Sequence, residues 1–230
     1  NKVRGDKARL FQHLSKAEDA DGSILIEDLL REASEIEDET AEKKAELSIP
    51  ANSISSLESN HLLGSVIAGS SDSRLSALIA TLKNESWVRS GQEHVHNSNG
   101  TCPFCQQTLP HDFSPELAKL FDTAYEDQCQ QLATLRDEYK SSIAALASLA
   151  ASAPYQDEYV SSDLALQNAW KDLLLILEQN STELDKKVEN PGDPVTLTDS
   201  TKAFDAWSDL AASAAAKIID YNNRIANRDQ

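Results

Sequence analysis

Apolar residues recur at alternating steps of three and four positions through the second half of this 230-residue chain. A mean spacing near 3.5 residues places those side chains on one helix face and is typical of coiled-coil packing. Breaks at Ala153-Pro154 and at 190–194 divide the pattern into three helical tracts. The stepping residues are Leu117, Leu120, Ala124, Gln128, Leu132, Leu135, Tyr139, Ser142, Leu146 and Leu149; Tyr159, Leu166, Trp170, Leu173, Leu177, Leu184 and Val188; and Phe204, Trp207, Ala211, Ala214, Ile218, Tyr221 and Ile225.

The first half of the chain differs in composition and in the spacing of its apolar residues. Two amphipathic helices are predicted, over about 2–16 and 23–47, and Pro50 ends the second. The Ser-rich stretch that follows carries short apolar clusters and predicts several short helices, until Ser114-Pro115 restarts a long one. We therefore predict an all-α fold, an antiparallel coiled-coil arm with a small helical head carrying a CxxC turn. Outgoing coiled-coil helices span 1–49, the head 50–114 and the returning coiled-coil helices 115–230.

Charge and composition exclude several classes of function. The net charge of −17 disfavours a sequence-independent grip on nucleic acid, which needs clustered Lys and Arg. No apolar run approaches the roughly 20 residues of a membrane span, and no leader-like segment opens the chain. Three cysteines do not form a secreted disulfide framework, so we expect a cytoplasmic protein. Methionine is absent even at position 1, which suggests a fragment excised from a longer chain.

The motif Cys102-Pro103-Phe104-Cys105 is the strongest chemical signal. Two thiolates held by a tight turn can each lie about 2.3 Å from one zinc ion, but structural zinc prefers four ligands. The remaining ligands would come from a second copy of the chain or from other residues of this one. We take His94 and His96 as candidate metal ligands beside the cysteine pair, and the other residues in reach are His111 and Cys129.

Other interpretations of the cysteine pair remain open. The thiols could be inert and metal-free, or they could do redox work of the thioredoxin type, although that motif belongs in a βαβ setting that this sequence lacks. The chain also has no phosphate-binding loop, no nucleophile elbow and no His-Glu-x-x-His. We therefore expect no catalytic or cofactor-binding residues within it.

A family resemblance rests on the run 87–91 (Trp-Val-Arg-Ser-Gly), on His94, on the CPFCQQ run that begins at Cys102, and on Leu109. These residues resemble the middle segment of a bacterial AAA-type, ABC-like P-loop ATPase family that includes the RloC-type zinc-hook anticodon nucleases. The tail, with Tyr221, Asn222, Ile225 and Asn227, resembles the end of the coiled-coil insertion in that family.

The resemblance implies a function for the chain. In that family the ATPase is split, and the coiled coil is inserted between its two parts. The resemblance implies that ATP binds only elsewhere in the parent protein and that the partners of this chain are the ATPase heads of that protein. It also implies that nucleic acid is a partner of the parent protein and not of this acidic segment alone. By likeness to zinc-hook DNA-repair ATPases, Cys102 and Cys105 would share one zinc with the same pair of a second molecule. The chain would then be a non-catalytic arm, in a defence or repair ATPase, that relays dimerisation or partner sensing to the heads.

An alternative keeps the same fold but changes the role of the head. In it the head is a recognition module for a ligand or for nucleic acid, and its metal site is intrachain or absent. The mostly polar stretch 106–113, which separates the cysteines from the next helix, favours this alternative over a bare hook.

Overall fold

The computed structural model describes residues 34, 38 and 40–227, and these residues fall into two compact units. One unit comprises Ala45–Ile218, and the other comprises the chain up to Lys44 together with residues from Ile219 onward. The predicted helix over 2–16 lies outside the described residues, as does most of the one predicted over 23–47.

Every regular element in the described residues is a helix, which confirms the predicted all-α class. The β-type pairing found there is a single isolated bridge between Thr101 and Thr108. Between residues 51 and 100, four short helices precede this bridge, and the longest of the described helices follow it. In chain order the helices are α1 (Ile54–Glu58), α2 (His61–Gly64), α3 (Ser76–Leu82), α4 (Glu85–Asn97), α5 (Phe113–Leu120), α6 (Thr123–Ala150), α7 (Glu158–Ser161), α8 (Leu164–Glu189) and α9 (Thr201–Ala226), with a 3-10 turn at Ala153–Gln156.

Helices α6 and α8 pack against each other in opposite directions. Lys140 near the middle of α6 pairs with Asp185 near the end of α8 at 2.7 Å, whereas Ala147 and Trp170 line one cavity at the other end of the pair. At 28 and 26 residues, each helix is about 40 Å long. The side chains buried between these helices and α9 belong largely to the stepping pattern of the sequence, including Leu132, Leu135, Leu146, Leu166, Leu173, Leu177, Leu184, Phe204, Trp207, Ala211, Ala214 and Ile218.

A buried polar network joins four segments of this core. The Glu58 carboxylate accepts hydrogen bonds from the Tyr139 hydroxyl at 2.9 Å and from the Asn180 amide at 3.0 Å. Its other oxygen accepts from the backbone N–H and the hydroxyl of Ser200, just before α9 begins. The Asn180 side chain also pairs with both backbone groups of Thr198. Because buried polar atoms are costly unless paired, this network fixes how α1, α6 and α8 meet the start of α9.

The ammonium group of Lys187 closes the last turn of α8 in a similar way. Lys187 is fully buried, and its Nζ donates to the carbonyl oxygens of Ser65, Pro191 and Asp193 at 2.6–2.8 Å. A cation near a helix C-terminus is favoured by the helix dipole, and here it also pairs with three loop carbonyls. The contact therefore ties the end of α8 to the loop after α2.

The predicted helix over 23–47 is wrong at its C-terminal end, because residues 41–50 contain no helix. The side chain of Asn222 provides the physical reason in the unit that contains it. Its Oδ1 accepts from the Lys44 N–H at 2.8 Å, and its Nδ2 donates to the Lys44 carbonyl at 2.9 Å. Both backbone groups that a helix would use at Lys44 are thus taken by a side chain.

The helix predicted without interruption from 115 to about 151 is divided in two. Helix α5 ends at Leu120, whose carbonyl accepts from the Ser70 N–H at 2.8 Å. Asp122 then caps α6, because its side chain accepts from the Tyr125 N–H at 2.9 Å. Among the helices described, none is long and apolar enough to cross a membrane.

Candidate metal centre

The two cysteines of the CxxC motif lie in the turn of a miniature hairpin. Its arms are joined by the Thr101–Thr108 bridge and by a hydrogen bond from the Leu109 N–H to the Gly100 carbonyl at 2.8 Å. Inside these, the N–H of Cys102 donates to the Gln107 carbonyl at 2.7 Å, and the N–H of Gln106 donates back to the Cys102 carbonyl at 2.9 Å. The turn is therefore held by backbone hydrogen bonds, and both cysteine side chains are free thiols.

This turn needs unusual backbone angles on both sides. Asn99 and Gly100 enter the hairpin with φ of 51° and 80°, and Gln106 leaves the turn with φ of 60°. Positive φ suits glycine and costs a residue with a side chain about 1 kcal/mol or more. The chain accepts this cost at Gln106, directly after the second cysteine, where it reverses direction.

The turn favours the thiolate form of Cys102. Hydrogen bonds from the backbone N–H groups of Cys105 and then Phe104 lower the pKa of Cys102 below its ordinary value. Cys102 is half-buried and Cys105 is exposed, so both sulfurs can be reached from outside. A metal ligand must be deprotonated, and an accessible thiolate of lowered pKa meets that requirement.

The candidate histidines do not converge on this turn. His94 and His96 lie in the last turn of α4, both are exposed, and residues two apart on a helix point to different sides. His96 instead lines a cavity of about 230 Å³ with His111 and Leu109. Across the part of the chain that the structure describes, no three His, Cys, Asp or Glu residues are grouped so that they could hold a metal ion. The ligands Cys102, Cys105, His94 and His96 thus stay a prediction.

Cys129 has a different environment from the hairpin pair. It is buried in α6 against Tyr125, and burial raises the pKa of its thiol. A buried cysteine of this kind serves as a small packing residue, in line with its place in the core.

The hairpin folds back along α4. Phe104, between the two cysteines, stacks on Trp87 in the first turn of α4, with ring centroids 5.3 Å apart and an interplanar angle of 30°. Trp87 is nevertheless 59% exposed and Phe104 is 69% exposed. The stack positions the cysteine turn and leaves most of both rings open to solvent.

Helix α4 in turn is fixed to the start of α6. The Arg89 guanidinium makes a bidentate contact with Glu126, at 2.7 and 3.2 Å, and lies 5.5 Å from the centre of the Tyr125 ring. One end of α4 is held by Glu85, whose carboxylate accepts from the Gly69 N–H at 2.6 Å. Geometry at the cysteine turn is thus connected to α6 through rigid contacts.

Comparison with known proteins gives a family for this chain. The AAA_13 family, described as an AAA domain, matches residues 1–230. The chain belongs to the AAA_13 family. No curated protein and no solved structure matches it. The family is an AAA-type ATPase family, so the predicted relation to such ATPases is confirmed at that level.

Sequence reasoning missed one property of this AAA_13 chain near the cysteines. Residues 94–111 contain no Asp, Glu, Lys or Arg, although charged residues make up 26% of the chain. No longer charge-free run occurs in the sequence. A scan for the longest uncharged stretch would have found it, and it surrounds the CxxC motif.

Proposed function

We propose that this chain is a non-catalytic arm of an AAA-type ATPase, and that its cysteine hairpin pairs two copies through one shared zinc ion. The observation that carries the proposal is the presentation of Cys102 and Cys105 in a backbone-held turn that lowers the pKa of Cys102. Among the described residues its own chain supplies no further grouped ligands. Two thiolates are half of the four-ligand shell that structural zinc prefers, so a second hairpin would complete it.

The packing of α4, α6 and α8 supports a role in which these helices transmit a change in the position of the hairpin. Helix α4 is bonded to α6, and α6 packs along α8, so a change in the position of the hairpin is passed to two helices of about 40 Å. The buried network around Asn180 resists sliding of α6 against α8, because its hydrogen bonds require one register. We propose that pairing at the hairpin is communicated along these helices to ATPase heads.

Zinc coordination would also make the pairing of two chains depend on pH. Thiolate ligands bind zinc only when deprotonated, so pairing is expected to weaken as the pH falls. The lowered pKa of Cys102 keeps it a ligand to lower pH than an ordinary thiol. The proposal places the chain in a reducing compartment, the cytoplasm, where free thiols persist.

Zinc content and mass in solution test the proposal on the full chain. We expect about one zinc ion per two chains, and a mass in sedimentation equilibrium that doubles with zinc and halves with chelator. Cys102→Ser and Cys105→Ser should abolish both properties, whereas Cys129→Ser, which removes the buried thiol, should retain them. A chain that binds no zinc, or binds it as a monomer, would contradict shared coordination and favour a recognition head.

A further inference from the structure

Within the part of the chain that the structure describes, the outer faces of the aromatic pair beside the cysteines are left exposed. Trp87 and Phe104 stack on each other and yet remain 59% and 69% exposed. Large apolar side chains that stay this exposed in a pair mark interaction surfaces more often than scattered single residues do. Aromatic residues are also enriched at the centres of protein interfaces.

The hairpin that carries Phe104 contains no charged residue, although the chain as a whole is strongly acidic. The uncharged run 94–111 includes the whole hairpin and the end of α4, whereas the net charge of the chain is −17. Two copies that approach through any acidic face repel each other. A second copy would meet little repulsion at the uncharged hairpin, and charge depletion is typical of interface cores.

A shared zinc ion would also bring the two hairpins close to each other. Four sulfurs bound to one zinc ion lie within about 4 Å of one another, since each is about 2.3 Å from the metal. Phe104 lies between the two cysteines in the turn, so a second hairpin that shares the metal would lie close to this residue. Trp87, stacked on that ring, lies next to the same contact.

From these observations we infer that Trp87 and Phe104, with the uncharged hairpin around them, form the protein–protein part of an interface whose occupant is a second copy of this chain. The inference rests on the proposed zinc pairing and assigns it a second source of affinity. The metal would supply the fixed geometry, and the aromatic face would exclude water around the thiolates and add a contact that does not need the metal.

Sedimentation of aromatic variants tests this inference. Phe104→Ala and Trp87→Ala are each expected to weaken the zinc-bound dimer about tenfold or more, because truncation of a central aromatic residue removes its contact with the partner. Leu175→Ala is the matched control, since Leu175 is 55% exposed on α8, away from the hairpin. Circular dichroism with zinc titration on each variant shows whether the fold and the metal ligands are intact.

A charge variant tests the role of the uncharged face without removing any apolar contact. Gln107→Glu adds a carboxylate to the exposed hairpin and is expected to weaken pairing several-fold, an effect that salt reduces. Gln130→Glu makes the same change on the exposed face of α6 and is expected to leave pairing unchanged.

The outcomes separate the inference from the proposed function. Zinc-dependent pairing that the aromatic and Gln107 variants leave unchanged overturns the inference alone. Pairing that survives chelator but is lost in Phe104→Ala supports the inference and overturns the role of zinc. No pairing under either condition overturns both, and zinc-dependent pairing that is weakened in these variants and not in their controls supports both.

Discussion

The C-terminal half of α8 and the cysteine hairpin differ in how far their polar side chains are paired within the chain. At α8 the side chains of Asn180 and Lys187 are buried, and each hydrogen-bonds to groups within the same chain. In the hairpin, backbone groups are paired across the bridge, whereas two thiols and the Phe104 ring, stacked on Trp87 of α4, remain accessible. A region whose polar groups are all matched internally serves to fix structure, and one that leaves strong ligands and apolar rings open is suited to binding.

The largest loss of stability is expected on removal of the Lys187 ammonium, which makes three hydrogen bonds. Lys187→Met removes the ammonium, which leaves the carbonyls of Ser65 and Asp193 without their donor and Pro191 with the Ile67 N–H alone. The free energy of unfolding should therefore fall by about 3 kcal/mol. Lys186→Met is the control, because Lys186 is exposed and pairs with Glu183 on the surface, a contact worth less than about 1 kcal/mol. Urea unfolding measures both, and equal losses would mean that the buried contacts at Lys187 add nothing to stability.

A second effect tests how tightly the loop after α2 packs against α5. A Cβ at Gly69 would lie 2.7–2.9 Å from the side chain and the carbonyl oxygen of Leu120, so Gly69→Ala should destabilise the chain by about 2 kcal/mol. Gly91→Ala is the contrasting variant, since a Cβ there meets nothing within 4 Å inside α4. We expect it to stabilise the chain by about 0.5–1 kcal/mol through helix propensity. Thermal unfolding that shifts both variants in one direction would contradict this packing.

The stepping of apolar residues predicted most of the core. The same stepping also includes buried polar residues, which a search for apolar residues alone does not find. From Leu177 the steps of three and four lead to Asn180, Leu184 and Lys187, so the two buried polar residues occupy core positions of the pattern. An interpretation that accepts only apolar residues passes over them. Polar residues at such positions commonly specify register in helical packing, and here both of them are paired.

The structure around the hairpin was harder to predict from the sequence. The cysteine pair predicts thiol chemistry by its spacing alone, but the stacking of Phe104 on Trp87 is a tertiary contact that no local pattern encodes. The absence of helix at Lys44 was hidden for the same reason, because a distant side chain, Asn222, occupies both backbone groups of Lys44. This contact overrides the helix propensity of an acidic and lysine-rich segment.

The smallest change in stability is expected in the hairpin, where the backbone of Gln106 is strained. Gln106 has φ of 60°, and glycine adopts that angle without penalty, so Gln106→Gly should stabilise the folded turn by up to about 1 kcal/mol. Amide hydrogen exchange without metal reports this as slower exchange, up to about fivefold, of the Leu109 N–H that bonds to Gly100. Gln107→Gly is the matched control, since Gln107 is not among the residues at positive φ and glycine there only adds freedom to the unfolded turn. Faster exchange in Gln106→Gly than in the unmodified chain would show that the Gln106 side chain contributes contacts that outweigh its backbone strain.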